Sequence, residues 1–227
     1  MNRRGAQSPD PKYRLSIGSS TMHLTVLGAS GATGQQLIQQ ALDRGHTVTA
    51  VARNPDRLPA TGHDDQLIRV RADVRDTDAI GRALKDATTI ISALGIPSRD
   101  QVGVLTAGAR GAVAAAPERI IWMGAFGTGA SAAAAGVLTR TLLRAMGAEL
   151  TDKVTADTTI LDAGGTVFHC GPLSAGPLSE HRRTVDLSQA PHRLFPARVS
   201  RATVAAALLD AAETPDLPGG TYVPLDR

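Results

Sequence analysis

The sequence predicts a single α/β domain in which a doubly wound parallel sheet lies between two layers of helices. Short β-branched runs alternate with amphipathic segments from His23 to Cys170, a pattern typical of strands joined by crossover helices. A glycine-rich segment, residues 28–34, stands between the first run and the first amphipathic segment. A chain of 227 residues fits one such three-layer αβα domain, and the sequence shows neither an internal repeat nor a second core.

The first βαβ unit is the clearest. We predict a strand over His23–Gly28, a helix over Thr33–Arg44 that ends at Gly45, and a second strand over His46–Ala52. The helix has apolar residues at helical spacing, and both strands are rich in β-branched residues. All of this fits within about 30 residues, the size of one βαβ unit.

The alternation continues along the chain. Further strands are predicted over 67–70, 88–94, 119–123 and 166–169, and further helices over 77–85, 102–116, 132–146 and 153–163. Three glycines in the helix after the fourth strand, Gly103, Gly108 and Gly111, suggest close packing. Prolines then interrupt the pattern, so we predict a substrate loop over about 171–199. A helix over 200–213, capped by Ser200, and a short strand over 221–224 complete the domain.

Composition narrows the range of functions. Hydrophobic residues make up 42% of the chain, but no run approaches the ~20 apolar residues of a membrane span. The net charge of +3 resides in residues 1–21, a predicted flexible basic leader, so the domain over 22–227 is neutral and a nucleic-acid partner is not expected. A single cysteine, Cys170, excludes an internal disulfide and indicates a reducing, cytoplasmic setting.

The glycine-rich loop predicts a dinucleotide site. Gly28 permits a tight turn, Gly31 lets the backbone approach a pyrophosphate, and Gly34 lets the helix lie close to the strand. The helix N-terminus adds free N–H groups and the positive end of its dipole. The residues of this loop predicted to bind the cofactor are Gly28, Ser30, Gly31, Ala32, Thr33 and Gly34. A purely structural turn is the alternative.

The end of the second strand favours NADP(H) over NAD(H). NAD sites usually place an acid there for the ribose 2′-OH, whereas this chain reads Ala52-Arg53-Asn54, with no acid before Asp56. The guanidinium of Arg53 can pair with a 2′-phosphate. The alternative is that Arg53 is a solvated loop charge.

Several segments together resemble the atypical branch of the short-chain dehydrogenase/reductase superfamily. GASGATG, VARNPDRL, ADVRD, SALG and RIIWMG are most similar to NAD(P)H-binding proteins related to NmrA and to biliverdin reductase B (flavin reductase). The resemblance covers 22–227 and implies a Rossmann fold; in the C-terminal half it rests on layout rather than on residues. It also implies cofactor contacts at Asp73, Val74, Ala93, Leu94, Gly95, Met123, Gly124, Pro172 and Leu173.

The usual catalytic pair of that superfamily is missing. Its Tyr-x-x-x-Lys motif supplies a proton to a carbonyl, but the tyrosines here are Tyr13 and Tyr222, and neither precedes a lysine by four. Lys153 stands where the family's helix begins, and four positions earlier is Glu149. The segment after strand five also lacks the usual serine or threonine between Met123 and Phe126.

Replacement proton donors are Lys153, Asp157 and His169. Each has a structural alternative, because acids near a helix start often act as caps, as Asp152 could also do, and a histidine between apolar residues is often packed. His181 could fold over a pocket from the polar loop.

Two other groups are not expected to be catalytic. We interpret Cys170 as a small buried residue. We interpret His63-Asp64-Asp65 as a loop, so no metal site is predicted.

Three functions remain open. The first is an NADPH-dependent reductase that passes hydride to a small conjugated acceptor such as a flavin or quinone. The acceptor would collect its proton from water, so the rate should depend only weakly on the candidate donors. The second is a non-catalytic NADP(H)-binding sensor or regulator, and the third a biosynthetic enzyme on the same fold. A small-molecule substrate is expected, a membrane partner is not, and a homodimer or a regulatory protein partner is left open.

Overall fold

A mostly parallel sheet organises the chain. The computed structural model describes residues 21–96, 98–132, 147–191 and 197–226. The predicted leader and the helix predicted over 132–146 therefore lie almost entirely outside the described residues. The strands are β1 His23–Leu27, β2 Thr47–Ala52, β3 Leu67–Arg71, β4 Thr89–Ser92, β5 Arg119–Ala125, β6 Thr166–Cys170, β7 Leu173–Ser174, β8 Arg183–Asp186, β9 Val199–Ser200 and β10 Gly220–Leu225. The helices are α1 Ala32–Asp43, α2 Thr77–Leu84, α3 Val104–Ala114, α4 Ala148–Asp162 and α5 Arg201–Ala212.

The strand order explains where a ligand can enter. Eight strands form one sheet in the order β3-β2-β1-β4-β5-β6-β10-β8, and β7 pairs with β9 in a separate sheet of two strands. All neighbours in the large sheet are parallel except β8, which runs antiparallel to β10. The chain leaves β3 at one edge and returns at β4 beside β1, so the winding direction reverses between β1 and β4. Doubly wound sheets open a crevice at that point.

Helices cover both faces of the sheet, as predicted. One apolar cluster joins α1 and α5 to one face, with Leu37 and Leu208 fully buried. The other cluster joins α2, α3 and α4 to the opposite face around Trp122. The predicted doubly wound, three-layer fold is therefore confirmed.

Glycines and caps set the local geometry of α3 and α5. A Cβ on Gly108 would lie 2.5 Å from Leu94, and one on Gly111 would lie 3.2 Å from Ile80, as expected for close packing. Gly103 has a different role: it precedes α3 at a φ of +92° with open space around it. At α5, the Ser200 hydroxyl accepts the Thr203 N–H at 3.0 Å, the predicted cap.

One prediction in the C-terminal half needs correction. Helix α4 begins at Ala148, five residues before the predicted start at Lys153, directly after Gly147 at a φ of +54°. The proline-rich segment 171–199 contains the short strands β7 and β8, and β8 pairs with β10, where Val185 lies opposite Val223. None of the helices within the described ranges is long and apolar enough to cross a bilayer.

Candidate active site

A cleft of about 550 Å³ opens where the winding of the sheet reverses, at the carboxyl ends of β1, β2 and β4. Most of the predicted cofactor residues line it: Gly28, Ser30, Gly31, Ala32, Thr33, Arg53, Asp73, Val74, Ala93, Leu94, Gly95, Met123 and Leu173. The fold thus brings residues in or directly after six strands, β1 to β5 and β7, to one surface. Their contact with a cofactor remains a prediction.

The glycine loop has the geometry that a dinucleotide phosphate requires. Gly28 turns at a φ of +73°, and a Cβ there would lie 2.8 Å from the Ala93 carbonyl oxygen of the neighbouring strand end. A Cβ on Gly31 would meet protein only at the Gly28 carbonyl oxygen, 3.2 Å away, so the space beside Gly31 belongs to the cleft. Helix α1 starts after Gly31 with no side-chain cap, which leaves its first N–H groups available to an anion.

Three predicted residues lie elsewhere. Gly34 is buried, and a Cβ on it would overlap the Gly28 carbonyl oxygen, so it lets α1 lie close to β1 without lining the cleft. Pro172 is not part of the cleft wall either; its carbonyl accepts the Val199 N–H at 3.2 Å. Gly124 lines a smaller cavity next to the cleft.

The end of the cleft near β2 is cationic and open to solvent. Arg53 lines it, and its Nη1 donates to Gln101 Oε1 at 2.6 Å. Arg57 lines the same region. Asp56, the first acid after β2, instead accepts from Arg71 at 3.2 Å. This end therefore presents two guanidinium groups.

Asp152 accepts hydrogen bonds from the start of α3, which forms part of the cleft wall at Val104. Its Oδ2 accepts the Gly103 N–H at 2.7 Å, and its Oδ1 accepts the Thr106 N–H at 2.8 Å and the Thr106 hydroxyl at 2.6 Å. Asp152 is 4% exposed. A carboxylate from α4 thus caps α3, whose own Gly103 has no side chain to do so. Asp152 is a cap, the structural alternative considered for it.

A side cavity of about 180 Å³ lies beside the cleft at the ends of β5 and β6. The cleft and the cavity share the lining residues Leu94, Gly95, Met123 and Leu173, so the two are adjacent. Lys153 and Asp157, one helical turn apart on α4, both line the cavity. The polar candidates of α4 therefore meet the end of the cleft beside Met123.

Behind the cavity is a chain of three buried polar side chains. Asp157 Oδ2 lies 3.1 Å from His169 Nε2, and His169 Nδ1 lies 2.6 Å from the Ser131 hydroxyl oxygen. His169 and Ser131 are fully buried and Asp157 is 3% exposed. A Cβ on Gly124 would lie 2.9 Å from Asp157 Oδ1, so only a glycine there leaves room for the carboxylate.

The other residues considered from the sequence are Cys170, His181 and His63, and none of them is placed for catalysis. Cys170 is buried beside the cavity, and burial, with the charge of Asp157, raises the pKa of its thiol, which favours the unreactive protonated form. His181 lines neither the cleft nor the cavity. His63 Nε2 lies 3.6 Å from Asp43, and the described residues contain no cluster of three or more side chains that could hold a metal.

Sequence reasoning missed several residues of the site. Arg57, Gln101 and Arg201 line the cleft, and Ser131 completes the polar chain. Arg57 belongs to the VARNPDRL segment, one turn beyond Arg53, and could have been noticed there. Ser131 lies six residues beyond β5, and no local signal links it to His169.

Comparisons with known proteins identify the family of the chain. Residues 28–215 match the sequence profile of the NAD(P)H-binding family. A curated relative, mitochondrial NADH dehydrogenase [ubiquinone] 1 alpha subcomplex subunit 9 of Dictyostelium discoideum, is 34% identical over 94 residues, which are 38% of this chain and 26% of the relative. The matched segment thus spans about a quarter of that relative's length.

Solved structures share the fold. ChuY, an anaerobillin reductase from Escherichia coli O157:H7, has a TM-score of 0.72 at 23% identity, with 91% of this chain and 97% of ChuY covered. A short-chain dehydrogenase/reductase from Veillonella parvula in complex with NADP has a TM-score of 0.73 at 15% identity, with 89% and 94% covered.

The match over residues 28–215 includes the glycine loop, both walls of the cleft and the polar chain behind the cavity. The resemblance inferred from the sequence motifs is confirmed, and the cofactor class is a nicotinamide dinucleotide. The chain belongs to the NAD(P)H-binding family.

Proposed function

We propose that the protein is an NADPH-dependent reductase that passes hydride to a small conjugated acceptor such as a flavin or quinone. One observation carries the proposal: a separate side cavity, lined by the two titratable side chains Lys153 and Asp157, lies against the dinucleotide cleft. When bound, the reduced cofactor supplies the hydride. The side cavity gives an acceptor a place beside the end of the cleft near Met123.

The chain's own residues bind and orient the two reactants. The glycine loop and the N–H groups of α1 hold the pyrophosphate, while Asp73 and Val74 flank the adenine end. Leu94, Met123 and Leu173 form an apolar junction between the cleft and the cavity, which limits water around the reacting atoms.

The preference for NADPH over NADH rests on the two arginines near β2. A 2′-phosphate placed there would meet Arg53 and Arg57, whereas a 2′-hydroxyl would find no carboxylate from Asp56, which pairs with Arg71. The complex with NADP formed by a relative of the same fold is compatible with this preference. A cytoplasmic location, suggested by the single buried cysteine, is part of the same proposal.

The exposed surface and the cavity favour a reductase over the two alternative functions, a sensor and a biosynthetic enzyme. A sensor would need an exposed apolar surface for its partner, and the large hydrophobic side chains exposed in the described ranges are Ile68 on β3 and Leu178 in the loop after β7, too few to form a patch. A biosynthetic enzyme without redox chemistry would need a pocket with no room for nicotinamide, whereas this cavity lies beside a cleft of about 550 Å³.

The test is an absorbance trace of NADPH mixed with the protein and, in turn, flavins, quinones, tetrapyrroles and simple aliphatic ketones. We expect NADPH oxidation with one of the conjugated classes and none with aliphatic ketones. Tight NADPH binding without oxidation by any acceptor would contradict the reductase and favour the sensor.

A further inference from the structure

We infer that Asp157 passes a proton to the acceptor and that His169 and Ser131 are positioning residues that hold Asp157 and the proton it transfers. The inference rests on the proposed reductase function. It departs from the expectation drawn from the sequence that the acceptor's proton comes from water, because the fold places a buried acid with its own hydrogen-bonded partner at the wall of the cavity.

The position of Asp157 is the first argument. Its carboxyl group is 3% exposed, yet it lines the cavity that joins the cleft. Gly124, which pairs with His169 across β5 and β6, leaves the only space in which the carboxyl can lie against the strand. A charged carboxylate in so dry a place is costly unless it is paired, and His169 is the partner of Asp157.

The hydrogen bonds of Ser131 define two protonation states of the chain. Its oxygen accepts the Gly127 N–H at 2.7 Å and lies 3.1 Å from the Thr128 carbonyl oxygen and 2.6 Å from His169 Nδ1. When the hydroxyl donates to the Thr128 carbonyl, His169 Nδ1 must carry a proton and donate to Ser131. A second proton then lies between His169 Nε2 and Asp157 Oδ2.

When the Ser131 hydroxyl donates to Nδ1 instead, the ring carries its proton on Nε2 and Asp157 is an ionised carboxylate. The two states differ by one proton and need no movement of heavy atoms. The group can therefore hold one transferable proton and later regain it from water in the cavity. The geometry does not suit a serine nucleophile, because Ser131 is fully buried behind His169.

The chemical step balances with the cofactor as reductant. As the acceptor gains hydride, an electron pair moves to its carbonyl oxygen. The O–H bond of Asp157 breaks and a new O–H bond forms on that oxygen, so the acceptor is reduced by two electrons and the pair is left one proton short. Lys153 and Cys170 also border the cavity. Among the described contacts of these three residues, a buried partner able to return the proton is found at Asp157.

Two acceptors separate this role from a structural one. A quinone needs a proton as its oxygen takes up charge, whereas a flavin spreads the charge over its rings and can be protonated later. Asp157→Asn, which keeps the shape but not the acid, should lower kcat with a quinone about 10²-fold, the typical contribution of a general acid. The same variant should change kcat with a flavin by less than about threefold and leave the Kd for NADPH unchanged.

Asp162→Asn is the matched control, because Asp162 is an exposed acid on the same helix. His169→Gln should lower the quinone rate by less than Asp157→Asn does, since the acid itself remains.

A second readout needs neither cofactor nor turnover. In ¹H NMR spectra of the unliganded protein, the proton shared by His169 and Asp157 should give a downfield, slowly exchanging signal. It should persist in Asp162→Asn and vanish in Asp157→Asn and His169→Gln. If Asp157→Asn does not fold, the wild-type protein still tests the role, because slowing in D₂O should be larger with the quinone than with the flavin.

The outcomes are distinct. A quinone rate unchanged in Asp157→Asn, or quinone and flavin rates lowered equally, would overturn the assignment of Asp157. Equal slowing of both acceptors in D₂O would do the same. A wild-type protein that binds NADPH but reduces no acceptor would instead refute the proposed reductase, and the proton-donor role would fall with it.

Discussion

The two ends of the cleft hold their charges in opposite ways. Near β2, Arg53 reaches into solvent and is held by one exposed partner, Gln101. At the other end, Asp157 and His169 are buried and fixed by β5, β6 and α4 together. An exposed cation is screened by salt, and its substitution costs the fold little stability. Substitution of one member of a buried pair leaves the other without a partner and costs much more. The comparison suggests that cofactor choice is readily altered in this fold and proton supply is not.

The largest effect is expected between the two ends, at the pyrophosphate. Gly31→Val should weaken NADPH binding about a hundredfold or more, or about 2.8 kcal/mol, because the side chain would fill the space that the phosphates need. The variant should stay folded, since a Cβ there meets only one protein atom, 3.2 Å away. Calorimetry and circular dichroism measure the two properties. Gly81→Val, at an exposed helical glycine with open space, is the control. Undiminished binding would place the ligand elsewhere.

The next effect tests whether the two buried acids of α4 have separate roles. Asp152→Ala should reduce the free energy of unfolding by about 2 kcal/mol, because it leaves the start of α3 without its cap and N–H groups without a partner. Urea denaturation measures the loss, with Asp162→Ala as the exposed control. A change below about 0.5 kcal/mol, the range of ordinary surface substitutions, would show that water replaces the cap.

Substitution of Arg53, at the exposed end of the cleft near β2, should change the cofactor specificity rather than the stability of the protein. We expect NADPH to bind at least about tenfold more tightly than NADH, or about 1.4 kcal/mol, and Arg53→Glu should erase or reverse that preference. Arg82→Glu changes the net charge equally on exposed α2 and should leave the preference intact. Equal affinities of the unmutated protein for both cofactors would refute the role of Arg53.

The smallest effect concerns the basic leader. Deletion of residues 1–21 removes all of the net charge of +3, yet it should change neither the Tm nor the affinity for NADPH. The cleft would then owe its attraction for phosphate to local arginines rather than to overall charge. A Tm lowered by several degrees would indicate that the leader packs against the domain.

The N-terminal half could be predicted closely because its signals are local. The glycine spacing of residues 28–34 and the β-branched runs before and after it determine strand, turn and helix within one short segment. The acid missing after β2 was equally visible. These features depend on residues that are close together in the sequence, so a short sequence pattern is enough to predict them.

The other end of the site depends on contacts that no short pattern records. Asp152 caps a helix 49 residues earlier in the chain, and His169 contacts Ser131 across 38 residues. The predicted start of α4 at Lys153 was late because the helix begins at Ala148, after Gly147, whose turn carries no apolar signal. The bounds of strand β8 could not be predicted because it is short and polar on a sheet edge, and its pairing with β10 reveals it.

The cap of α3 comes from Asp152, which follows α3 in the chain, and this order has a consequence during synthesis. During synthesis, β1 to β4 and α3 leave the ribosome well before Asp152. The first turn of α3 therefore lacks its capping carboxylate until Asp152 has been made. Leu173 and Arg201, which close the cleft, emerge later still. A chain arrested near residue 150 would thus display its glycine loop without a finished binding site, and cofactor capture would mark the end of folding rather than guide its beginning.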